Sequence, residues 1–281
     1  MAILKLFIQG HKPLVAAVIF LLAVLILILI AADYSLETNI YAIKSPKITS
    51  TVRLALISDL HSCKYGENQQ ELIAAVKAAN PDVVLFSGDI ADDTMSPENG
   101  FIAAKSLASD YPCFYVSGNH ELRRSDAEAV IETFSQCGLT VLRGDRVVFD
   151  VDGQSINICG IDDPQVGHLY YGQLKRALDD CDNSLFTLLV AHRPELIDKY
   201  AQYSPDLVLS GHAHGGHWRL PSLGGLIAPG QGLFPKYTSG VYEYDGSKLL
   251  VSRGLSKENI IVPRFFNPPE LVIIDLIPDL T

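Results

Sequence analysis

The 281-residue chain carries 22 Lys and Arg against 32 Asp and Glu, a net charge of -10, and 48% of its residues are hydrophobic. That apolar content is enough for a sizeable core and argues against disorder. The acidic balance argues against binding of bulk nucleic acid and against holding the domain to anionic lipid by charge alone.

In chain order, residues 1–13 form a short tail with Lys5 and Lys12, and residues 14–32 read LVAAVIFLLAVLILILIAA without a charge. A helix of that run spans roughly 28 Å, close to the hydrocarbon core of a bilayer. The expectation is a single-pass transmembrane anchor, longer than the apolar region of a cleaved signal peptide. Residues 33–51 are mixed and polar and read as a tether. One catalytic domain is expected over 52–281. It opens with the apolar run VRLALIS, and helical spacing follows from Glu67 to Ala79. DVVLF is a second strand, a helix lies around Phe101 to Ser109, and CFYV is a third strand. Ser125 to Cys137 reads as a helix with Ser125 as N-cap, Glu128 at capping-box spacing and Gly138 past its end. Strands alternating with amphipathic helices indicate an α/β layered architecture. The middle turns β-rich, with a hairpin at Asp152-Gly153 and another at Asp245-Gly246. A helix near Tyr171 to Leu178 separates the first hairpin from LFTLLVAH. DLVLSGH and LVIIDLI are further strands.

The five cysteines (Cys63, Cys113, Cys137, Cys159 and Cys181) are odd in number, and no pair has C-x-x-C spacing. This is neither a disulfide framework nor a zinc ribbon. His120-Glu121-Leu-Arg-Arg124 lacks the second His of a zinc-protease helix, and there is no Gly-x-Ser-x-Gly and no P-loop.

The polar residues fall in a pattern. Asp59 and His61 follow LALIS, Asp89 follows VVLFSG, Asn119 and His120 follow FYVSG, His192 follows TLLVA, and His212 and His214 follow LVLSG. Ligands of α/β sheets bind at the carboxyl ends of strands, so residues far apart in sequence are expected to share one crevice. Gly88, Gly118 and Gly211 each stand one residue before such a position, where a backbone can turn sharply and approach a ligand. Taken singly, each Asp is more often a cap and each His a core or surface residue. The ordered set is more specific: Asp-x-His, Gly-Asp, Gly-Asn-His-Glu, His and Gly-His-x-His, with steps of 30, 30 and 20 residues for Asp59 to Asp89, Asp89 to Asn119 and His192 to His212.

From about Val52 to the end, this set resembles the calcineurin-like metallophosphoesterase superfamily. Gly-His-Ala-His-Gly-Gly with the following Arg-Leu-Pro, and residues 263–270, resemble its small membrane-associated phosphodiesterase branch. His217 departs from the branch pattern, which has Gln there, and this bears on the substrate contact. The resemblance implies a four-layer α/β/β/α sandwich of two mixed sheets flanked by helices. It implies two divalent metal ions (Mn, Fe or Zn), a choice that suits a mixed O/N donor set without thiolate. Asp59, His61, Asp89 and His214 would hold one ion, and Asp89, Asn119, His192 and His212 the other, with Asp89 bridging. Two carboxylates and a bridging hydroxide would leave a positive surplus for a phosphate anion, and the hydroxide would attack in line. His120 is the candidate general acid, and Glu121 is expected to orient a His. Asp162, Asp163 and His168 read as loop.

The expected activity is hydrolysis of a phosphodiester or pyrophosphate, with a lipid-linked substrate favoured by the anchor. Phe234, Tyr237, Phe265 and Phe266 are candidates for an apolar lip, or for core. The alternatives are a tethered phosphatase for soluble nucleotides or phosphoproteins, and, more remotely, a non-catalytic scaffold. The expected location is the cell membrane with the domain extracytoplasmic, since Lys5 and Lys12 precede the anchor.

Overall fold

The computed structural model describes residues 12–220, 223–257 and 264–279. After helix α1 (Lys12–Ala31) and strand β1 (Glu37–Ser45), the chain winds through β2 (Val52–Ile57), α2 (Gln70–Ala79), β3 (Val83–Phe86), α3 (Glu98–Ala108) and β4 (Cys113–Tyr115). The short α4 (Asn119–Arg123), α5 (Ala127–Gln136) and β5 (Thr140–Val141) follow. Together with the C-terminal β16 (Glu270–Pro278), these strands form a six-stranded mixed sheet in the order β1-β16-β2-β3-β4-β5. Strands β2 to β5 run parallel, and β16 is antiparallel to β2.

The second half supplies β6 (Asp145–Val151), β7 (Gln154–Gly160), α6 (Tyr170–Leu178), β8 (Phe186–Val190), α7 (Ile197–Tyr200) and β9 (Leu207–Ser210). The hairpin of β14 (Gly240–Tyr244) and β15 (Ser247–Val251) completes a second six-stranded sheet, in the order β14-β15-β9-β8-β7-β6. Between β9 and β14 the chain makes an excursion of two small ribbons. One pairs β10 (Arg219–Leu220) with β11 (Gly224–Gly225), and the other pairs β12 (Ile227–Ala228) with β13 (Gly232–Leu233).

Period-two alternation sets the layers. Leu54, Leu56 and Leu85 of the first sheet meet Ile158, Leu188 and Leu209 of the second in a shared core. The opposite faces, Ala55, Ile57 and Phe86 on one side and Cys159, Leu189 and Val208 on the other, pack beneath helices. The result is the expected sandwich of helix, sheet, sheet and helix. Both hairpin turns are as read: Asp152-Gly153 and Asp245-Gly246 have φ of 48° and 77°, and 47° and 83°, as a type I′ turn requires.

Two expectations change, and a third falls partly outside the described residues. The tether over 33–51 contains a nine-residue edge strand, β1, paired in parallel with β16 from Glu37 opposite Glu270 to Ser45 opposite Pro278. Asn39 and the Tyr41 hydroxyl both donate to Glu270, at 2.8 and 3.0 Å. The partner strand lies some 230 residues away in sequence, so no local pattern announces the pairing. The helix expected from Ser125 starts at Ala127 with Asp126 at its N-cap, and Glu128 turns away to an Arg143 pair at 2.6 Å. A charge-assisted bidentate pair outcompetes a capping bond. At the N-terminus, α1 occupies the apolar run, but residues 1–11 and several α1 side chains lie outside the described residues. Among the described residues no helix is long and apolar enough to cross a membrane.

Replacing a shared-core side chain should cost far more than replacing one on the outer edge. We expect Ile274→Ala, fully buried on β16, to lower unfolding free energy by about 2–5 kcal/mol. Ile40→Ala, 62% exposed on β1, should stay within about 0.5 kcal/mol. Urea titration followed by circular dichroism distinguishes the two.

Candidate metal centre

The seven side chains singled out as ligands come together where the carboxyl ends of both sheets' parallel strands meet. Asp59 and His61 lie after β2, Asp89 after β3, Asn119 at the start of α4, His192 after β8, and His212 and His214 after β9. Loops of the two sheets are laced directly: the His212 N–H donates to Asp59 Oδ1 at 3.0 Å, and the Asp163 N–H donates to the Ser117 carbonyl at 3.2 Å.

Their donor atoms form two clusters, Asp59 with His61 and His214, and Asp89 with His192 and His212, each within 4.8 Å. Asp89 joins them. Its Oδ2 lies 3.1 Å from His192 Nε2 and 3.6 Å from His61 Nε2. The Asn119 amide abuts His212 Nδ1 at 2.9 Å. With its nitrogen inward it hydrogen-bonds the ring. With its oxygen inward it accepts from the ring when Nδ1 carries the proton, or shares a cation with Nδ1 when it does not.

Local backbone geometry aims these groups. Asp59, His61, Asp89, His212 and His214 all adopt left-handed conformations, with φ of 50°, 46°, 54°, 62° and 47°. Each costs an L-residue roughly 1–2 kcal/mol, and such strain concentrates at working sites. Two glycines are required by close approach. A Cβ on Gly211 would stand 1.8 Å from Ser58 Oγ and 2.2 Å from Asp59 Oδ2, and one on Gly118 would stand 2.2 Å from Asp89 Oδ1. His192 Nδ1 donates to the Ser87 carbonyl at 2.7 Å, which points Nε2 inward. Ser58 Oγ donates to Asp59 at 2.5 Å, and the His120 N–H donates to Asp89 Oδ1 at 2.8 Å.

The donor set fits a metal pair. Asp89 Oδ2, His61 Nε2 and His192 Nε2 are buried, lack hydrogen-bond partners and face one another. Buried polar atoms are rarely left so. Burial pushes the Asp59 carboxyl up, whereas for Asp89 the effect of burial is outweighed by His192, His61 and His120, which hold it well below the usual carboxylate range. Burial, with the nearby His192 charge, brings His212 down to about 2. Burial and His61 lower His214 as well. Both rings are thereby kept neutral, the form that ligates metals.

His120 differs from the other rings. Its side chain is 24% exposed against 0–13% for His61, His192, His212 and His214. Its Nδ1 lies 3.2 Å from Asp93 and 3.4 Å from Asp92, and its ring meets His61 edge-on at 4.4 Å. Burial alone would lower its pKa, but the carboxylates of Asp92, Asp89 and Asp93 around it raise it to about 9.

Several supporting groups escape the sequence pattern. Asp92 reaches both His61 Nδ1, at 3.3 Å, and His120 Nδ1. Glu195 stands 3.9 Å from His212 Nε2. Neither carries a spacing that marks it; the only hint is the acid-rich run after Gly88. Glu121 was expected to orient a His. Instead its buried carboxylate accepts the N–H groups of Asp89, Ile90, Ala91 and Gly118, at 2.9, 2.6, 2.9 and 2.9 Å, and ties the second and third loops together. Asp162 and Asp163 are buried supports, paired with Arg143 at 2.8 Å and Arg193 at 2.6 Å, while His168 is exposed. His217 stacks on His214 at 5.2 Å. Of the candidate lip, Phe234 and Phe266 are exposed, Phe265 is half-buried and Tyr237 is core.

The sequence profile described as calcineurin-like phosphoesterase matches residues 52–216. The chain is 30% identical, over 86% of each chain, to the uncharacterized metallophosphoesterase YkuE of Bacillus subtilis (strain 168). It is 32% identical to a transmembrane protein with metallophosphoesterase domain from Danio rerio, over 62% of this chain and 42% of that protein. Among solved structures, the Haemophilus influenzae NAD nucleotidase shares the fold with a TM-score of 0.52 at 17% identity, covering 74% of this chain and 46% of that one. Calcineurin-like phosphoesterases use two divalent metals, which the paired His/Asp clusters match.

Glu121 gives the sharpest test of how the loops are held. Glu121→Ala strands four buried N–H groups, and Mn²⁺ affinity measured by isothermal titration should fall about 10–100-fold. Glu132→Ala, on the exposed face of α5, should leave it unchanged. Equal affinities for both variants contradict the assigned role.

Proposed function

We propose that this chain, which belongs to the calcineurin-like phosphoesterase family, hydrolyses a phosphodiester or pyrophosphate bond at a two-metal centre between its sheets. The observation that carries the reading is Asp89. Its buried, unpartnered Oδ2 stands between imidazoles of both clusters. One ion is assigned to Asp59, His61, Asp89 and His214, the other to Asp89, Asn119, His192 and His212. Carboxylate, amide and imidazole donors without thiolate suit Mn, Fe or Zn. Such a pair, when bound, acidifies water and neutralises phosphoryl charge.

The protein's own residues do the rest. Strained loops and the Ser87, Ser58 and Glu121 bonds fix the donors before substrate arrives, so no reorganisation is needed during reaction. His120 is the proton donor to the leaving oxygen, because it is the most open ring of the cluster and two carboxylates hold its proton. His217, stacked on His214, supports that ligand's ring and takes the place of an amide that would reach toward substrate.

A lipid-linked substrate and a cell-membrane location, with the domain extracytoplasmic, belong to the same proposal. In support, Leu14, Ile19, Phe20, Leu21 and Leu22 of α1 are exposed, as suits a helix immersed in an apolar medium. A tethered site searches a surface where lipid head groups are concentrated.

Asp89→Asn should abolish Mn²⁺-dependent hydrolysis of bis-p-nitrophenyl phosphate. His120→Ala should retain both metals by elemental analysis while turnover drops about 10²–10⁴-fold. Full activity in Asp89→Asn would sink the two-metal reading. A clear preference for p-nitrophenyl phosphate over the diester would favour the phosphatase alternative.

A further inference from the structure

Elsewhere on the domain the exposed large apolar side chains (Ile40, Met95, Val148, Leu169, Tyr171 and Val241) are spread over several elements, as on any soluble surface. The excursion between β9 and β14 is different. Leu223, Leu233 and Phe234 are 70%, 71% and 76% exposed, and Trp218, Leu220 and Ile227 are exposed on the same two ribbons. Contiguous exposed apolar surface marks an interaction site.

Three observations identify what covers it. First, the patch is continuous with the end of α1. A mostly apolar cavity of about 220 Å³ is lined by Ala31, Trp218, Arg219, Leu220, Leu226, Phe265 and Phe266, and the Phe266 N–H donates to the Ala31 carbonyl at 2.7 Å. The end of α1, a helix that exposes Leu14, Ile19, Phe20, Leu21, Leu22 and Ile26, therefore abuts this face. Second, no Asp or Glu stands between Asp206 and Glu243 in a chain with 32 of them, while Arg219 and Lys236 lie within that stretch. An acid-free stretch with exposed Trp, Leu and Phe suits a lipid–water interface. Third, the excursion is built onto the metal loop. A Cβ on Gly216 would stand 2.5 Å from Gly225 Cα, and Asn267 donates to the His214 and His217 carbonyls at 2.7 and 3.1 Å.

We infer that the ribbon face of Trp218, Leu220, Leu223, Ile227, Leu233 and Phe234, with Phe266, embeds in the acyl layer of a phospholipid bilayer and sets the metal centre at head-group level. The inference rests on the reading of α1 as a membrane tether. It adds a second contact, through the catalytic domain itself.

Trp218 is the only tryptophan in the chain, so its emission reports this face alone. The full chain is reconstituted in phosphatidylcholine–phosphatidylglycerol vesicles, with either plain or acyl-brominated phosphatidylcholine. Brominated chains should quench Trp218 about two-fold or more, and aqueous iodide should quench it little. Leu223→Asp with Leu233→Asp should largely abolish the bromine quenching, restore iodide quenching and leave hydrolysis of soluble bis-p-nitrophenyl phosphate unchanged. Vesicle flotation separates the two readings. A chain that floats but is quenched only by iodide keeps its tether and loses the embedded face. A chain that does not float loses both. A Trp218 shielded from both quenchers points to a protein cover and also overturns the inference.

Discussion

Two carboxylates lie fully buried where the sheets meet, and the rest of the structure is arranged around that cost. Asp59 and Asp89 are buried among imidazoles, no Lys or Arg pairs with either among the described residues, and one Asp89 oxygen has no hydrogen-bond partner. Burying an isolated carboxylate costs several kcal/mol or more unless opposite charge compensates it. A pair of divalent cations is such a compensation, and four imidazoles and an amide stand ready to hold it. The arrangement makes metal affinity part of folding stability, as binding to the native state alone must.

The scaffold meets this constraint by dividing labour between its layers. The buried side chains of the shared core are all apolar, so it fixes the two sheets without side-chain hydrogen bonds. Precision comes instead from the loop layer above it. There, left-handed residues, two glycines in contact and the four-bond Glu121 carboxylate hold the donors. Asp162 and Asp163 extend the same device outward by pairing with Arg143 and Arg193. The strain in the loops is tolerated because the core beneath is independent of it.

How far the site was legible from sequence follows from which atoms each residue uses. The ligands stand next to strand ends, and a strand end is a local signal; for that reason Asp59, Asp89, Asn119, His192 and His212 could be read in order. Glu121 was found but given the wrong partner, because a side chain that accepts backbone N–H groups from another loop leaves no mark in its own neighbours. Asp92 and Glu195 were missed for the same reason. Strand β1 was read as tether because an edge strand gains its stability from the strand it joins, and β16 lies at the other end of the chain. The N-cap of α5 moved by one residue because Arg143, distant in sequence, claimed Glu128.

The amino-acid sequence by itself determined the alternation of strands and helices, the hairpin turns, the family resemblance and the identity of seven candidate ligands. All of these rest on short-range periodicity or on residue types at fixed spacing. Only the tertiary structure decided that Glu121 holds loops and not a ring, that β1 belongs to the sheet, and that the apolar excursion meets the end of α1. Those are distances between segments remote along the chain, and they are set by how two sheets pack, which no local pattern encodes.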